Sequence, residues 1–334
     1  MFAAVFGSVE LGLIYAIMAL GVYLTFRVLD FPDLTVDGSF VTGAAVVAMM
    51  LTFGYSPIVA TLAAVVAGFI AGTMTGILHT KGNINPLLSG ILMMIALYSI
   101  NLRIMGLTTE TSVGRPNIPL LNETTLFSSF IGWWETIGID AAIISGLQAI
   151  GIQHPPKTIG IFLFMLLVIV MIKWVVDFFL ETEIGLALRA TGNNKKMIRS
   201  FSANTDSLII LGVGVSNALV ALAGGLIAQY MKSADIGMGI GMIIIGLASV
   251  IIGEAIFGTK TVMRTTFAVI IGAIIYRVIL GLALRIEFLD AGDMKLITAV
   301  IVILALVVPQ QWKRQKEKQV QKKRRTMLMM EEVK

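Results

Sequence analysis

The sequence predicts an all-α, polytopic membrane protein with about eight to ten transmembrane helices, some of them broken or re-entrant. Hydrophobic residues make up 57% of the chain and charged residues only 13%, with a mean hydropathy of +0.91. An ordinary soluble domain has about a quarter of its residues charged. Apolar runs long enough to cross a bilayer follow one another along the chain, and polar, turn-rich stretches interrupt some of them.

The length of each apolar run identifies it as a candidate span, because a bilayer core of about 30 Å needs roughly 20 apolar residues in a helix. The first begins almost at Met1 and has no basic segment before it, so we expect it to stay as a span and not to be cleaved. The runs lie near 3–26, 39–54, 57–78, 86–106, 158–180, 207–229, 237–257, 266–285 and 293–311. The run at 57–78 carries a ridge of small residues, which favours close helix packing.

Two runs have the features of discontinuous helices. The run at 39–54 is short and follows the polar stretch Asp30–Gly38, while the run at 237–257 is rich in glycine and follows Ser233–Asp235. Discontinuous helices in corresponding positions indicate an internally duplicated transporter, so the sequence predicts a possible inverted repeat with a path at its interface.

Polar residues near these breaks and within the spans are the candidates to line a translocation path. A polar side chain in a membrane more often only bonds a neighbouring helix, and that alternative stays open for each of them. The candidates are Asp33, Thr35, Asp37, Ser39, Asn85, Asn101, Asn217 and Gly239.

The basic residues predict the orientation. The end of the chain, 313–334, holds nine Lys or Arg against three Glu, so the net charge of +5 belongs to a tail and not to a nucleic-acid-binding surface. The positive-inside rule places a basic cytoplasmic tail at 312–334 and puts 181–206 on the same side. The transmembrane domain is then 1–311, with an external loop insertion at 107–157.

Metal and cofactor chemistry are not expected. The chain has no cysteine and two histidines, and His79 and His154 fall on opposite sides of the predicted topology. No glycine loop with the spacing of a phosphate-binding site is present, so the chain is not expected to hydrolyse a nucleotide itself. No catalytic, cofactor-binding or metal-ligating residue is predicted.

The stretch 181–206 is helix-competent and lies between two very apolar runs. Thr182 is placed to cap a short helix that presents Ile184 and Leu188 and ends at Gly192, and Asn193 or Asn194 to cap a second. Met197, Ile198 and Phe201 form the apolar stripe of that second helix. The residues alone leave two interpretations equally open. The stretch is either a docking surface for a separate soluble motor protein or a connector between two spans that contacts anionic lipid.

Several motifs carry a resemblance to a known family. The run Thr182–Asn194 and the segment Ser216–Gly225 resemble the permease subunit of bacterial ABC importers in the branched-chain amino acid and ribose permease superfamily. More narrowly, the chain is similar to uncharacterised or tryptophan/tyrosine-type amino-acid ABC transport system permeases. The other motifs are Phe31–Ser39, Asn85–Leu92, Leu97–Met105, Gly239–Gly241, Gly246–Glu254, Tyr276–Arg277 and Asp293–Ala299. The resemblance covers about residues 8 to 308, and the segment 107–157 departs from it by its length.

The resemblance implies a multi-pass permease of the bacterial inner membrane that moves a small organic solute by alternating access. The solute it favours most is an aromatic or branched-chain amino acid. It implies ATP-binding-cassette ATPase subunits as partners that bind the ATP, an extracytoplasmic substrate-binding protein, and a homodimer in the lipid bilayer. Within 181–206 it implies helices that couple to the ATPase. The coupling residues are Glu183, Gly185, Leu186, Leu188, Arg189, Gly192, Asn193 and Met197.

Two rival functions are compatible with a membrane protein of this composition. An ion-gradient-driven secondary transporter or channel needs carboxylates central to the spans, and few are evident. A non-transporting membrane scaffold explains the loop at 107–157 and the basic tail, but it does not explain the broken helices.

Overall fold

A computed structural model describes residues 2–108, 114–138, 140, 158–201 and 203–283, with the isolated positions 296, 298–300, 303 and 307. The chain divides into two units, Met1–Leu282 and Ala283–Lys334. In the second unit the described residues are helical. The tail at 312–334, most of the run at 293–311 and part of the predicted loop at 107–157 lie outside the described residues.

The described chain is built almost entirely of helices, with one pair of short strands. The first half contains α1 (Phe2–Tyr23), α2 (Thr35–Thr52), α3 (Pro57–Thr80), α4 (Pro86–Gly106), β1 (Asn117–Pro119) and α5 (Leu126–Ile137). The second half contains α6 (Gly160–Glu181), α7 (Glu183–Asn193), α8 (Lys195–Ser200), α9 (Thr205–Met231), β2 (Ser233–Asp235), α10 (Met242–Phe257) and α11 (Val262–Ala283).

Eight helical segments in the described chain are long and apolar enough to cross a membrane. They are α1 with its extension to Val28, α2, α3, α4, α6, α9, α11, and α10 together with the 3-10 turn that precedes it. The predicted all-α, polytopic class is therefore confirmed. The division into a domain at 1–311 and a tail stays a prediction.

The first predicted break lies between α1 and α2. The last turn of α1 widens into a π-helix at Leu24–Val28, and Asp30 has a left-handed backbone with φ of +52°. The chain then re-enters the bundle, where Phe31 is buried. The next helix begins at Thr35 and not near residue 39, because the Asp33 carboxylate accepts a hydrogen bond from the Thr35 N–H at 2.9 Å and so starts the helix within the polar stretch.

The second predicted break lies before α10. β2 pairs antiparallel with β1, with Ala234 opposite Ile118. The chain continues through a 3-10 turn at Ile236–Gly239 and a left-handed Gly241 with φ of +86° before α10 begins. The run at 237–257 is thus discontinuous, whereas the run at 39–54 lies in one unbroken helix, α2, that follows an interruption of the chain. The inverted repeat stays a prediction.

The core of the first unit forms where α9 packs against α2 and α3. Small residues let the backbones approach closely, as they commonly do between membrane helices. A Cβ atom on Gly43 of α2 would lie 1.9 Å from the Ala221 carbonyl oxygen, and one on Gly68 of α3 would lie 2.3 Å from the Ala221 Cβ. The predicted ridge of small residues on α3 is buried against this centre.

Candidate functional site

The helix pair predicted within 181–206 is present as α7 and α8. The Thr182 hydroxyl accepts a hydrogen bond from the Gly185 N–H at 3.2 Å, which caps α7. Asn194, and not Asn193, caps α8 by accepting from the Met197 N–H at 3.1 Å. α7 runs on through Gly192 to Asn193, so Gly192 does not end the helix.

One face of α7 packs into the bundle. Leu188 is only 1% exposed, and a Cβ on Gly185 would lie 2.1 Å from the Phe179 carbonyl oxygen at the end of α6. A Cβ on Gly192 would lie 2.1 Å from the Val28 carbonyl oxygen at the end of α1. These predicted coupling residues therefore hold α7 against the ends of α1 and α6.

The other face of the pair is open. Leu186 is 51% exposed and Met197 is 45% exposed. The charged and polar members of the predicted set are exposed beside them: Glu183, Arg189 and Asn193. Ile184 is also exposed while Leu188 is buried, so these two do not share one apolar face as the sequence suggested. The eight predicted coupling residues thus divide into an anchoring face and an open face.

The basic residues of α8 are tied to the start of α9. An Arg199 guanidinium nitrogen donates to the Asp206 carboxylate at 3.0 Å, and the Lys195 ammonium lies 4.0 Å from the same oxygen. Burial, with the nearby Arg199 charge, lowers the pKa of Lys195 from its usual range. A polar groove opens beside them toward the turn between α3 and α4, where it is lined by His79 and Asn85.

Three candidate path residues meet in one buried cluster at the first break. The Asn217 side-chain amide on α9 donates to the Asp33 carboxylate at 2.7 Å. Thr35 shares a hydrogen bond of 2.8 Å with Thr75 on α3. The broken segment is thereby bonded to two neighbouring helices. This agrees with the alternative interpretation, in which a polar side chain in a membrane bonds a neighbouring helix and does not line a path.

Two further candidates join the first break to the second. The Asp37 carboxylate on α2 accepts hydrogen bonds from the Gly241 N–H at 2.9 Å and the Ile243 N–H at 2.8 Å. These N–H groups lie at the start of α10 and have no partner within that helix. Position 239 beside them has no room for a side chain, because a Cβ on Gly239 would lie 2.1 Å from the Asp37 carbonyl oxygen.

The remaining path candidates do not form one group. Asn101 on α4 donates to the Gly38 carbonyl at 3.2 Å, and Asn85 caps the start of α4 in an exposed position. Ser39 is fully buried. Among the described path candidates, three have a side-chain oxygen that is buried without a hydrogen-bond partner: Ser39 Oγ, Asn101 Oδ1 and Asn217 Oδ1.

Ion pairs link helix ends on the side that carries α7 and α8. Lys173 and Asp177 bridge each other across one turn of α6, and Asp177 also accepts from the Thr266 hydroxyl at 2.6 Å. Arg27 at the end of α1 pairs with Glu254 at the end of α10. The sequence did not predict that second pair, since no local spacing relates residues 227 positions apart.

A second set of hydrogen-bonded residues, which the sequence analysis did not identify, joins α1 to α9. It lies toward the ends of these helices that are far from α7 and α8. The Tyr230 hydroxyl donates to the Glu10 carboxylate at 3.0 Å, and the neighbouring Gln229 donates to the Thr61 hydroxyl at 2.9 Å. The Gln229 side-chain oxygen also accepts from the Leu126 N–H at the start of α5. An ionisable residue inside a membrane span is itself a signal of function, so Glu10 was detectable from the sequence.

Comparison with known proteins extends these observations. Residues 4–308 match the family described as "Branched-chain amino acid transport system / permease component". The chain is 43% identical to the tyrosine transport system permease protein of Clostridioides difficile (strain R20291) over 87% of its own length and 86% of that protein. It is 33% identical to an uncharacterised protein of Rickettsia prowazekii (strain Madrid E), over 90% of this chain and 95% of the relative.

A more distant similarity is to the ribose import permease protein RbsC of Escherichia coli (strain K12), at 24% identity over 88% of this chain and 81% of the relative. No solved structure matches the chain significantly.

Proposed function

Because the chain belongs to the branched-chain amino acid transport system permease family, we propose that it is the permease subunit of an ATP-binding-cassette importer. It carries a small organic solute across the bacterial plasma membrane by alternating access. ATP is bound and hydrolysed on separate ATPase chains, and an extracytoplasmic binding protein delivers the solute. The working unit is a homodimer of this chain in the bilayer.

The observation that carries the proposal is the two-faced helix pair. Gly192 packs α7 against the end of α1 and Leu188 lies beside Gly212 of α9, while Leu186 and Met197 remain exposed on the outer side. A surface of this kind can receive a soluble motor and pass its movement to the spans. The ion pair between Arg27 and Glu254 extends the connection from α1 to the end of α10.

An amino acid is the solute that the relatives favour. The relative that shares 43% identity is named a tyrosine transport permease, and the ribose permease shares only 24%. We therefore place aromatic amino acids first and branched-chain amino acids second. The predicted path residues at the two breaks, such as Asp37 and Asn217, lie where α2, α9 and α10 meet.

The test reconstitutes the chain with the ATPase and the binding protein encoded beside it, and measures ATP-dependent uptake of labelled tyrosine, tryptophan and leucine. Leu186→Asp should abolish co-purification of the ATPase and reduce uptake by about 10-fold or more, because a carboxylate replaces an apolar contact. Leu121→Asp is the matched control, since Leu121 is exposed on a different segment. Normal ATPase binding by Leu186→Asp would contradict the docking surface.

An ion-gradient-driven transporter is the competing function, and the fully buried Asp33 is the observation that favours it. Such a transporter would lose uptake when a protonophore collapses the gradient. The proposed importer would instead keep its uptake in proteoliposomes that contain ATP and no ion gradient. Uptake that needs the gradient and not ATP would therefore replace the proposal with the competing function.

A further inference from the structure

The polar groove beside α8 has the size of a ligand site. Its volume is about 420 Å³, and ligand sites commonly occupy roughly 300 to 1,000 Å³. One wall is formed by α8 and the start of α9, and the other by the end of α3 and the turn that leads into α4. The lining includes Lys195, Arg199 and Asp206 on the first wall, and His79 and Asn85 on the second.

Two cations in the groove share one carboxylate. An Arg199 guanidinium nitrogen donates to Asp206 Oδ1 at 3.0 Å, whereas the Lys195 ammonium lies 4.0 Å from the same oxygen, which is too far for a hydrogen bond. Of the described residues that line the groove, Asp206 alone is acidic. The groove therefore carries a net positive charge.

Both walls offer N–H donors to a ligand. Arg199 Nε donates to the Thr205 hydroxyl at 2.9 Å, and the guanidinium carries more N–H groups than its bonds to Thr205 and Asp206 use. On the facing wall the Asn85 side-chain oxygen accepts from the Leu87 N–H at 3.0 Å, so the NH2 group of that amide is the part that can donate to a ligand. A guanidinium and an ammonium together suit a phosphate group.

The wall opposite α8 is a well-defined turn. His79 Nδ1 donates to the Ile84 carbonyl oxygen at 2.8 Å, and the His79 ring lies edge-on to Phe31, with ring centres 5.3 Å apart. These contacts fix the end of α3 against the turn and against the first interruption of the chain. A site whose walls are already ordered loses less freedom when a ligand binds.

Exposed apolar residues border the groove. Ile77 on α3 lies two residues before His79, and Leu87 and Leu88 on α4 follow Asn85 within one turn. Both helices are long and apolar enough to span the membrane, so exposed apolar residues at this level lie beside acyl chains. A small soluble anion would match only the groove, whereas a molecule with an anionic head and apolar chains matches the groove and its border.

The groove and the open face of the helix pair lie on different sides of α8. Lys195 and Arg199 are four residues apart and so share one side of the helix. Met197, which is exposed on the open face, lies two residues from each of them and therefore points to the opposite side. A protein docked on the open face would leave the groove free for another ligand.

We propose that the groove binds the phosphate group of an anionic phospholipid from the leaflet on the side of α7 and α8. Arg199 and Lys195 hold the phosphate, Asn85 donates to it from the turn, and the acyl chains lie along α3 and α4. Basic pockets between spanning helices take headgroups in this way. The bound lipid joins α8 to the turn between α3 and α4, and so braces the helix pair from the side opposite its open face.

The test measures lipid binding to the purified full-length chain in detergent by native mass spectrometry, without the ATPase or the binding protein. The probes are dioleoylphosphatidylglycerol, which is anionic, and dioleoylphosphatidylcholine, in which a choline cation balances the same phosphate. The wild type should bind phosphatidylglycerol about 5- to 10-fold more tightly than phosphatidylcholine, because the groove is positively charged.

A matched pair of lysine variants assigns this preference to the groove. Lys195→Gln should weaken phosphatidylglycerol binding by about 5-fold, which is the usual contribution of one basic residue near an anionic lipid. Lys196→Gln makes the same change in charge at the next position of α8, where the side chain is exposed and lies outside the groove lining. It should bind the lipid as the wild type does.

A third variant should change binding in the opposite direction. Asp206→Asn removes the negative charge of the groove and keeps an oxygen that can accept from Arg199. It should bind phosphatidylglycerol about 5-fold more tightly than the wild type. A variant that is damaged in folding would lose binding, so the sign of the change separates a charge effect from a loss of structure. Unchanged affinity in Asp206→Asn would refute the site, even if Lys195→Gln does not accumulate.

Three other results would also overturn the inference. Equal weakening by Lys195→Gln and Lys196→Gln would show diffuse attraction to the surface and no site. Displacement of the lipid by an equal concentration of inorganic phosphate would make the groove a site for a soluble anion. Unchanged lipid binding by Lys195→Gln, together with loss of ATPase co-purification, would assign the groove to an acidic side chain of the ATPase. None of these results would contradict the proposed function, which uptake tests separately.

Discussion

Single carboxylates hold the broken helices in place. Asp33 starts its own helix through the Thr35 N–H and also bonds Asn217 on α9. Asp37 holds the start of a different helix, because its carboxylate accepts hydrogen bonds from two N–H groups at the start of α10. In a membrane, backbone groups left open by a broken helix need partners within the protein. These residues therefore have a structural reason to be polar, whether or not a solute passes beside them.

Removal of the Asp37 carboxylate should loosen the start of α10. We expect Asp37→Ala to lower the stability of the solubilised protein by about 2 kcal/mol, because two charge-assisted hydrogen bonds are lost and two part-buried N–H groups are left without a partner. The thermal midpoint measured by fluorescence-detected size exclusion reports the effect. Asp37→Asn keeps an accepting oxygen and should lose less. Equal midpoints for Asp37→Ala and the wild type would show that this contact does not secure α10.

At the scale of elements, α7 is both an anchor and a surface. Its buried residues contact α1, α6 and α9, so it cannot move without moving the ends of those helices. Its exposed residues, Leu186 among them, lie on the face turned away from these contacts. The sequence grouped both kinds as coupling residues, and the structure separates Gly185 and Leu188 from Leu186 and Arg189.

The separation changes what a substitution at Gly185 should do. If Gly185 were only a coupling residue, as the family resemblance implies, a bulky charged side chain there would uncouple ATP hydrolysis from uptake and leave the fold intact. A Cβ at that position would lie 2.1 Å from the Phe179 carbonyl oxygen, so Gly185→Glu should instead lower the thermal midpoint and the yield. Leu186→Glu, at the next position, should leave both near wild type and reduce uptake. If Gly185→Glu is as stable as the wild type, α7 is not anchored as described.

At the scale of the whole molecule, orientation follows from the number of crossings. Among the described residues, one spanning helix, α6, lies between the exposed Leu121 and the exposed Leu186. The two positions should therefore face opposite sides of the membrane. The positive-inside rule predicts that the side of α7 is cytoplasmic.

Cysteine labelling tests this orientation directly, because the natural chain contains no cysteine. Leu121→Cys should react with a membrane-impermeant maleimide in intact spheroplasts. Leu186→Cys should react only after the membrane is permeabilised, and the cysteine-free wild type provides the background. Labelling of both variants in intact spheroplasts would overturn the topology.

The sequence by itself determined the helical class, eight of the nine marked spans, the two interruptions and the helix pair, because apolar run length, glycine and capping residues are local signals. Tertiary structure alone decided that Asp33 meets Asn217, 184 positions away, and that Asp37 holds the start of α10, 204 positions away. It also decided which face of α7 is anchored. The physical reason is that such contacts depend on how helices pack, and glycines such as Gly43 and Gly68 permit an approach whose partner no local pattern names.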